Sequence, residues 1–296
     1  MKHDILCIGS VLWDVIGRSP ASMRLGSDVP GRITRLPGGV ALNIAMTLRR
    51  FGLTPALLSA VGRDAEGDEL AARCDQMGLI TDTLYRSDDL PTDIYMAVEG
   101  ANGLIAAIAD AHSLEAAGDK ILRPLSDGRL GSVDAPYSGL VALDGNLTET
   151  LLTQIATSPL FARADLRVAP ASPGKAERLL PLLSHPSATL YVNLEEAGLL
   201  AKETYATAPE AAAGLLARGA ARVLVTDGGN TCAEGTAGAG ILTASPPQVM
   251  VTRVTGAGDT FMAAHIVATR KNAPRQEALN RAITAAADYV SGEIGT

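Results

Sequence analysis

Ala208-Pro209-Glu210-Ala211-Ala212-Ala213-Gly214-Leu215-Leu216-Ala217-Arg218 leads through Gly219-Ala220-Ala221 into Arg222-Val223-Leu224-Val225-Thr226, and this stretch carries the fold in miniature. Its first part is built from alanine and leucine, which lose little on entering a helix. Its last part is a short valine- and leucine-rich run bounded by glycines, the composition of a buried strand. A continuous apolar run, in place of polar/apolar alternation, marks a parallel strand covered on both faces.

The same pairing recurs in both directions from there. Strand-like runs occur at Ile5 to Gly9, Ala56 to Val61, Leu140 to Asp144, Leu166 to Ala169 and Thr189 to Val192. Helical composition fills Leu42 to Phe51, Gly67 to Met77, Thr148 to Thr157 and Lys175 to Leu183. The alternation predicts an α/β protein whose mostly parallel sheet is covered by helices. There is no internal repeat, low-complexity tract or long linker. Two regions break the rhythm. Asp93 to Asp110 reads as two apolar strands around Asn102-Gly103, a strong hairpin signal. Asp14 to Pro37 is irregular but contains strand-like Arg32-Ile33-Thr34-Arg35-Leu36. Together they predict a small sheet beside the main body, of the kind that serves as a lid; alternatively they extend the main sheet's edge.

Composition bounds the function. The chain has 296 residues, 47% apolar, enough for a substantial core. A net charge of -7 argues against a nucleic-acid backbone or an anionic membrane as partner, and leaves free nucleotides open. Cys7, Cys74 and Cys232 are few and scattered, which suits a reducing compartment. The apolar run within Met1 to Ser10 is too short for a signal segment or a spanning helix. The expectation is a soluble cytoplasmic protein.

Chemistry concentrates at Val254-Thr255-Gly256-Ala257-Gly258-Asp259-Thr260-Phe261. Glycines there open a helix-forming segment, placing amides and the positive end of the dipole at a turn suited to phosphate. A carboxylate at that junction suits a base that takes a proton from an attacking hydroxyl, so Asp259 is the candidate catalytic base. A helix cap following a tight turn would use the same residues. A second constellation, Pro37-Gly38-Gly39-Val40-Ala41-Leu42-Asn43, puts an amide side chain one turn into a helix, where it competes for the backbone unless something else needs it. Asp14 is a carboxylate in a mostly apolar stretch, able to accept from two sugar hydroxyls or to sit in solvent. Gly235 to Gly240 resembles a dinucleotide fingerprint but leads into Pro246-Pro247, so a hairpin turn is expected. His3, His112, His185 and His265 have no metal-binding spacing.

Gly38-Gly39 with Asn43, then Asn193-Leu194-Glu195-Glu196, then Thr255-Gly256-Ala257-Gly258-Asp259, in that order and spacing, resemble the ribokinase-like (PfkB) carbohydrate kinases over nearly the whole chain. The resemblance implies a three-layer α/β/α core with a small β-sheet lid. On that reading residues 1–13, 38–92 and 111–296 form the nucleotide-binding core, and 14–37 with 93–110 form the lid. It implies transfer of the γ-phosphoryl group of ATP to a sugar or nucleoside hydroxyl. Asp259 would be the base, with Gly256, Ala257 and Gly258 stabilising phosphoryl charge; Asp14, Gly38, Gly39 and Asn43 would hold the acceptor. Asn193 and Glu196 would organise Mg²⁺, mostly through water, with Glu196 the metal-side residue. Thr226, Gly228 and Thr255 would line the nucleotide with Asn193, although Thr231 stands where relatives usually have a second glycine. Arg253 replaces the acidic or amide residue found in relatives beside a monovalent-cation site, which predicts activity without added potassium. The region of Ala285 to Val290 lies near the adenine in relatives.

Thr92-Asp93-Ile94-Tyr95, Leu104 to Asp110 and Leu143-Asp144-Gly145-Asn146-Leu147 look most like pseudouridine kinases, with an adenosine-, ribose- or other nucleoside-type acceptor as the alternative. A catalytically silent nucleoside or nucleotide binder is the reading from another class. The partners implied are a small nucleoside or sugar and ATP, with no nucleic acid and no membrane. A homodimer through the lid strands is also open.

Overall fold

Along the first strand successive side chains enter two different cores. Ile5 and Cys7 pack with Leu42, Leu57, Phe261 and Leu279, whereas Leu6 and Ile8 pack with Leu58, Leu152, Leu166 and Leu190. A strand buried on both faces lies in the middle of three layers. The structure, a computed structural model, describes residues 3–24 and 26–293; residues 1–2 and 294–296 of the expected core and position 25 of the expected lid lie outside them.

In chain order the elements are β1 (Ile5–Ile8), β2 (Leu12–Arg18), β3 (Arg32–Gly38), α1 (Val40–Arg50), β4 (Pro55–Leu58), β5 (Ala60–Gly62), α2 (Ala65–Gln76) and β6 (Tyr85–Ser87). There follow β7 (Ile94–Gly100), β8 (Gly103–Asp110), α3 (His112–Ala117), β9 (Leu140–Asp144), α4 (Glu149–Thr157), β10 (Asp165–Ala169), α5 (Leu180–Leu183) and β11 (Ala188–Asn193). The chain closes with α6 (Leu194–Ala201), α7 (Ala208–Ala217), β12 (Arg222–Thr226), β13 (Cys232–Thr236), β14 (Gly240–Ala244), α8 (Ala257–Arg270) and α9 (Arg275–Ser291).

The main sheet has eight strands in the order β14-β13-β12-β11-β10-β9-β1-β4. The six from β12 to β4 are parallel, and β13 and β14 add an antiparallel edge. Helices α1, α2, α8 and α9 contribute to the core on one face, and α3 to α7 to the core on the other. From β1 the chain first moves outward to β4, then returns to place β9 on β1's other side. The strand order therefore reverses between β1 and β9, and the crevice beyond the carboxyl ends at such a point is where ligands bind in open α/β sheets.

A second sheet, β3-β2-β7-β8, stands apart. Cross-strand register puts Asp14, Leu36, Tyr95 and Ala109 on one of its faces. Trp13 anchors it to the main body: the indole N–H donates to the Glu66 carbonyl (2.9 Å) and the Arg35 guanidinium lies 4.1 Å from the ring centre. The Asn102-Gly103 hairpin forms as expected, with Gly103 at φ +93°. Gly235 to Gly240 is a hairpin turn between β13 and β14.

Three elements depart from the sequence reading. The run Ala56 to Val61 is not one strand: pairing with β1 stops at Leu58, and β5 pairs with β6 in a two-stranded sheet. An unbroken apolar run carries no mark of such a change of partner. Lys175 to Leu183 is mostly a 3₁₀ helix over Pro173–Leu179 that passes into the single turn of α5, where Pro181 lacks the N–H a longer helix would need. Leu12 to Arg18, which runs into the Asp14 to Pro37 segment read as largely irregular, is the seven-residue strand β2. Among the described residues no helix is long and apolar enough to cross a membrane.

Candidate active site

The N-terminus of α1 is satisfied from within the protein. Asp144, the last residue of β9 and fully buried, accepts from the Ser10 amide (2.8 Å), the Ser10 hydroxyl (3.0 Å), the Ala41 amide (2.9 Å) and the Asn146 amide (2.8 Å). Burial raises its carboxyl above the usual range against the pull of those donors. The Ser10 hydroxyl also accepts from Val40 N (2.8 Å) and from the Asn146 amide group (2.9 Å). Lys175 Nζ donates to Asn146 Oδ1 at 2.5 Å. The first amides of α1 therefore face a resident carboxylate and hydroxyl, and an incoming anion has no claim on them.

This packing accounts for the two glycines. A Cβ on Gly38 would fall on the Asp14 carboxylate, and one on Gly39 would meet the Ser10 carbonyl, with Gly39 also at φ +98°. Glycine is what lets β3, β1 and the start of α1 meet. Asp14, on β2, is half-buried, and burial pushes its pKa up to about 6.

Asp259 lies in the first turn of α8, where the side-chain amide of Asn43 bears on its carboxylate. Burial, first of all, pushes the Asp259 pKa up to about 7; the charges of Asp144, Asp14 and Glu196 add to the rise, and the Asn43 amide opposes it. Residues from β2, α1, β9, the β11–α6 junction and α8 thus bear on one carboxylate. An acid poised near neutrality can accept a proton from an alcohol.

Among the described residues the turn before α8 has unfilled donors. Gly256 is the N-cap, at φ +91°, and carries no side-chain cap. The Ala257 amide donates to the Val254 carbonyl (3.1 Å) and closes the turn, while Gly258 and Asp259 hold the second and third helical positions, whose amides have no intrahelical acceptor. Here, unlike at α1, the dipole is available to a ligand. The turn is braced by the end of α9. Tyr289 Oη donates to the Thr255 carbonyl (2.9 Å), and a Cβ on Gly256 would strike that hydroxyl. Arg253 Nε donates to the Tyr289 carbonyl (2.8 Å), with its guanidinium 3.9 Å from the Tyr289 ring centre. Tyr289, at the end of the stretch expected near the adenine, therefore supports the turn.

Asn193 and Glu196 form a capping box at the start of α6: Glu196 N donates to Asn193 Oδ1 and Asn193 N to Glu196 Oε2, both at 2.8 Å. Glu196 is buried, not an exposed helix-start acid, and burial raises its carboxyl. Among the described residues its Oε1 makes no hydrogen bond, and no cluster of three His, Cys, Asp or Glu ligands exists. A single available carboxylate oxygen fits Mg²⁺, which keeps several waters and shares phosphate oxygens, and does not fit an all-protein cage. Thr226 pairs in register with Asn193, so both lie at the carboxyl edge of the sheet. Gly228 follows at φ +52° in a turn closed by Asn230 N on the Asp227 carbonyl (2.8 Å). Thr231 bonds Ser245 across the β13–β14 edge at 3.0 Å.

His265 is not part of the site. It is fully buried further along α8, bonded to the Tyr191 hydroxyl at 2.7 Å and 3.7 Å from the Glu234 carboxylate. The residues missed from sequence are Ser10, Asp144, Asn146 and Lys175 in these roles. One signal was present: an aspartate closing the otherwise apolar run Leu140 to Asp144.

Comparisons with known proteins cover nearly the whole chain. The family described as pfkB family carbohydrate kinase matches residues 2–293. A pseudouridine kinase of Escherichia coli (strain K12) is 27% identical over 268 residues, 88% of this chain and 82% of that protein. Among solved structures, a carbohydrate kinase from Agrobacterium tumefaciens is 26% identical with TM-score 0.82, covering 100% of this chain and 93% of the other. Arabidopsis thaliana ribokinase complexed with ribose and ATP superimposes with TM-score 0.80 at 22% identity, covering 100% and 94%, a likeness of fold.

Proposed function

We infer that this chain, which belongs to the pfkB family of carbohydrate kinases and is a phosphotransferase with an alcohol group as acceptor, transfers the γ-phosphoryl group of ATP to the 5′-hydroxyl of a nucleoside, with pseudouridine the first candidate. The observation that carries the reading is Asp259, poised near neutrality beside Asn43 at the one of the two helix N-termini that retains unfilled amides. The pseudouridine assignment is supported by the E. coli relative. Adenosine, ribose or another nucleoside or sugar is the second reading, since that identity is modest.

Asp259 takes the proton of the attacking hydroxyl. Asp14, Gly38, Gly39 and Asn43 hold the acceptor beneath the second sheet, which acts as the lid over residues 14–37 and 93–110. The Gly256 and Gly258 amides receive charge that grows on the transferring phosphoryl oxygens; Ala257 joins them only by releasing Val254. Magnesium-bound ATP supplies the phosphoryl group and part of the neutralising charge when bound, with Glu196 and Asn193 on the metal side and Thr226, Gly228 and Thr255 along the nucleotide. Asp259 itself argues against the silent-binder reading, because a pure binder has no use for a base there.

The sheet face turned away from Asp14 carries Ile33, Met96 and Ile108, which are 77%, 45% and 62% exposed. A second copy of the chain covering that face would bury them, and light scattering of wild type against Ile33→Glu/Ile108→Glu reads the dimer. The three cysteines are free thiols, which supports a cytoplasmic setting.

The test is to incubate the protein with Mg-ATP and pseudouridine, uridine, adenosine, cytidine, ribose or fructose 6-phosphate, following ADP release and the product's mass. Selective turnover of pseudouridine is expected. Turnover of another acceptor moves the assignment within the family, and acceptor binding without any turnover favours the silent binder.

A further inference from the structure

On the far side of β5 and β6 the chain gathers cations that the kinase reading does not use. A cavity of about 360 Å³ is lined by Arg63, Arg86, Lys120, Arg123 and Arg129 around Tyr85. It shares no residue with the candidate active site. For a chain of net charge -7, five cations against one lining carboxylate, Asp88, is a local inversion.

The five are not equivalent. Arg63 is paired with Asp88 (2.9 Å), Arg86 with Asp68 (2.6 Å) and Arg129 with Asp127 (2.7 Å). Among the described residues neither Lys120 nor Arg123 is in an ion pair; each lies 5.6 Å from the Tyr85 ring centre. Both belong to the 3₁₀ helix Gly118–Leu125, where positions three apart eclipse, so they project from the same side. The charge of Lys120 also reaches the Asp89 carboxylate, but two adjacent cations outside any ion pair, facing three more across a cavity, repel one another, and the ring contacts return only part of that cost.

We propose that this cavity binds a small phosphate-bearing anion. Two full positive charges call for a ligand with two or more negative ones, and beside the Lys120 ammonium the Arg123 guanidinium offers paired N–H donors suited to phosphate oxygens. A route from the cavity to the second sheet exists. Arg86 also donates to the Gly62 carbonyl (2.7 Å); two residues on, Asp64 accepts from the Thr92 amide (2.7 Å) and hydroxyl (2.5 Å), two residues before β7 begins. An anion that draws on Arg86 therefore bears on the segment that leads into that sheet.

The experiment is calorimetric titration of inorganic phosphate, pyrophosphate and ribose 5-phosphate into the full chain and into Lys120→Ser/Arg123→Ser, with ADP titrated into both as a control on the catalytic cleft. The wild type is expected to bind at least one of the three anions, with Kd raised at least tenfold in the double variant and with affinity falling as salt rises. ADP binding should match in the two proteins. Preference for pyrophosphate or for ribose 5-phosphate identifies a diphosphate or a sugar phosphate as the ligand class. Arg123→Gln, a milder change, should weaken binding in the same direction and keep the wild-type melting temperature. Identical isotherms in wild type and double variant, or no anion binding by the wild type, overturn the proposal. If the chain turns out to lack kinase activity, loss of anion binding in the double variant still supports the cavity, so the two ideas fail separately.

Discussion

The side-chain amide of Asn43, near the start of α1, lowers the pKa of the Asp259 carboxyl in the first turn of α8 against the larger rise that burial imposes. Asn43, expected from sequence to hold the acceptor, therefore also bears on the base.

Activity should follow the ionised form of Asp259, whose pKa stands at about 7, and so rise with pH through neutrality. Removing the Asn43 amide removes an influence that lowers this pKa. Asn43→Ala is expected to move the acidic limb of the kcat/KM profile to higher pH and to raise acceptor KM more than ATP KM. A limb that stays in place would separate Asn43 from the base.

Asp259→Asn should lower kcat by about 10²- to 10⁴-fold, the usual worth of a positioned proton transfer. It should also change stability in a pH-dependent way. The Asp259 carboxyl ionises near 3.8 unfolded and near 7 folded, so its contribution is fully present below 3.8 and is lost as pH climbs through 7. The uncharged variant escapes that loss. Thermal melts should show Asp259→Asn more stable than wild type at pH 8, with the gap closing toward pH 4.

Glu196 has two roles that two substitutions can part. Glu196→Gln can keep the capping box with Asn193 but loses the charge; it should leave the melting temperature nearly unchanged while raising KM for Mg-ATP about tenfold, a difference of ~1.4 kcal/mol. Glu196→Ala loses the cap as well and should cost a further 0.5–2 kcal/mol or so of stability. Normal Mg-ATP kinetics in Glu196→Gln would leave Glu196 as a cap alone.

Arg253 places a fixed cation at the C-terminal turn of α9, on the Tyr289 ring and carbonyl. Activity in potassium and in tetramethylammonium buffers should be equal. Arg253→Asn should lose at least tenfold, with part regained on adding potassium. Strong potassium activation of the wild type would remove this account.

The three-layer fold was legible because parallel strands buried on both faces leave unbroken apolar runs, as at Leu140 to Leu143 and Val223 to Val225. The turn before α8 was legible because Gly256 and Gly258 stand directly before a helix-forming run. Strand β2 was not, since Trp13, Asp14 and Gly17 follow no apolar alternation and the strand exists by pairing with β3 and β7. Ser59 ends a pairing inside an apolar run, which only the partner strands reveal. His265, near the base in sequence, points instead into the core with Tyr191.

The sequence alone determined the order of strands and helices, the glycine turn and the identity of the candidate base, because each depends on neighbours a few residues apart. Tertiary structure alone decided which helix N-terminus remains available to a ligand. Both α1 and α8 begin at glycine, but Asp144 reaches α1 from β9, at the point where the strand order reverses, and satisfies its amides, while among the described residues no such carboxylate caps the amides of α8. Charges from distant segments meet only when the sheet assembles, and their mutual repulsion, with burial, lifts Asp259 to neutrality.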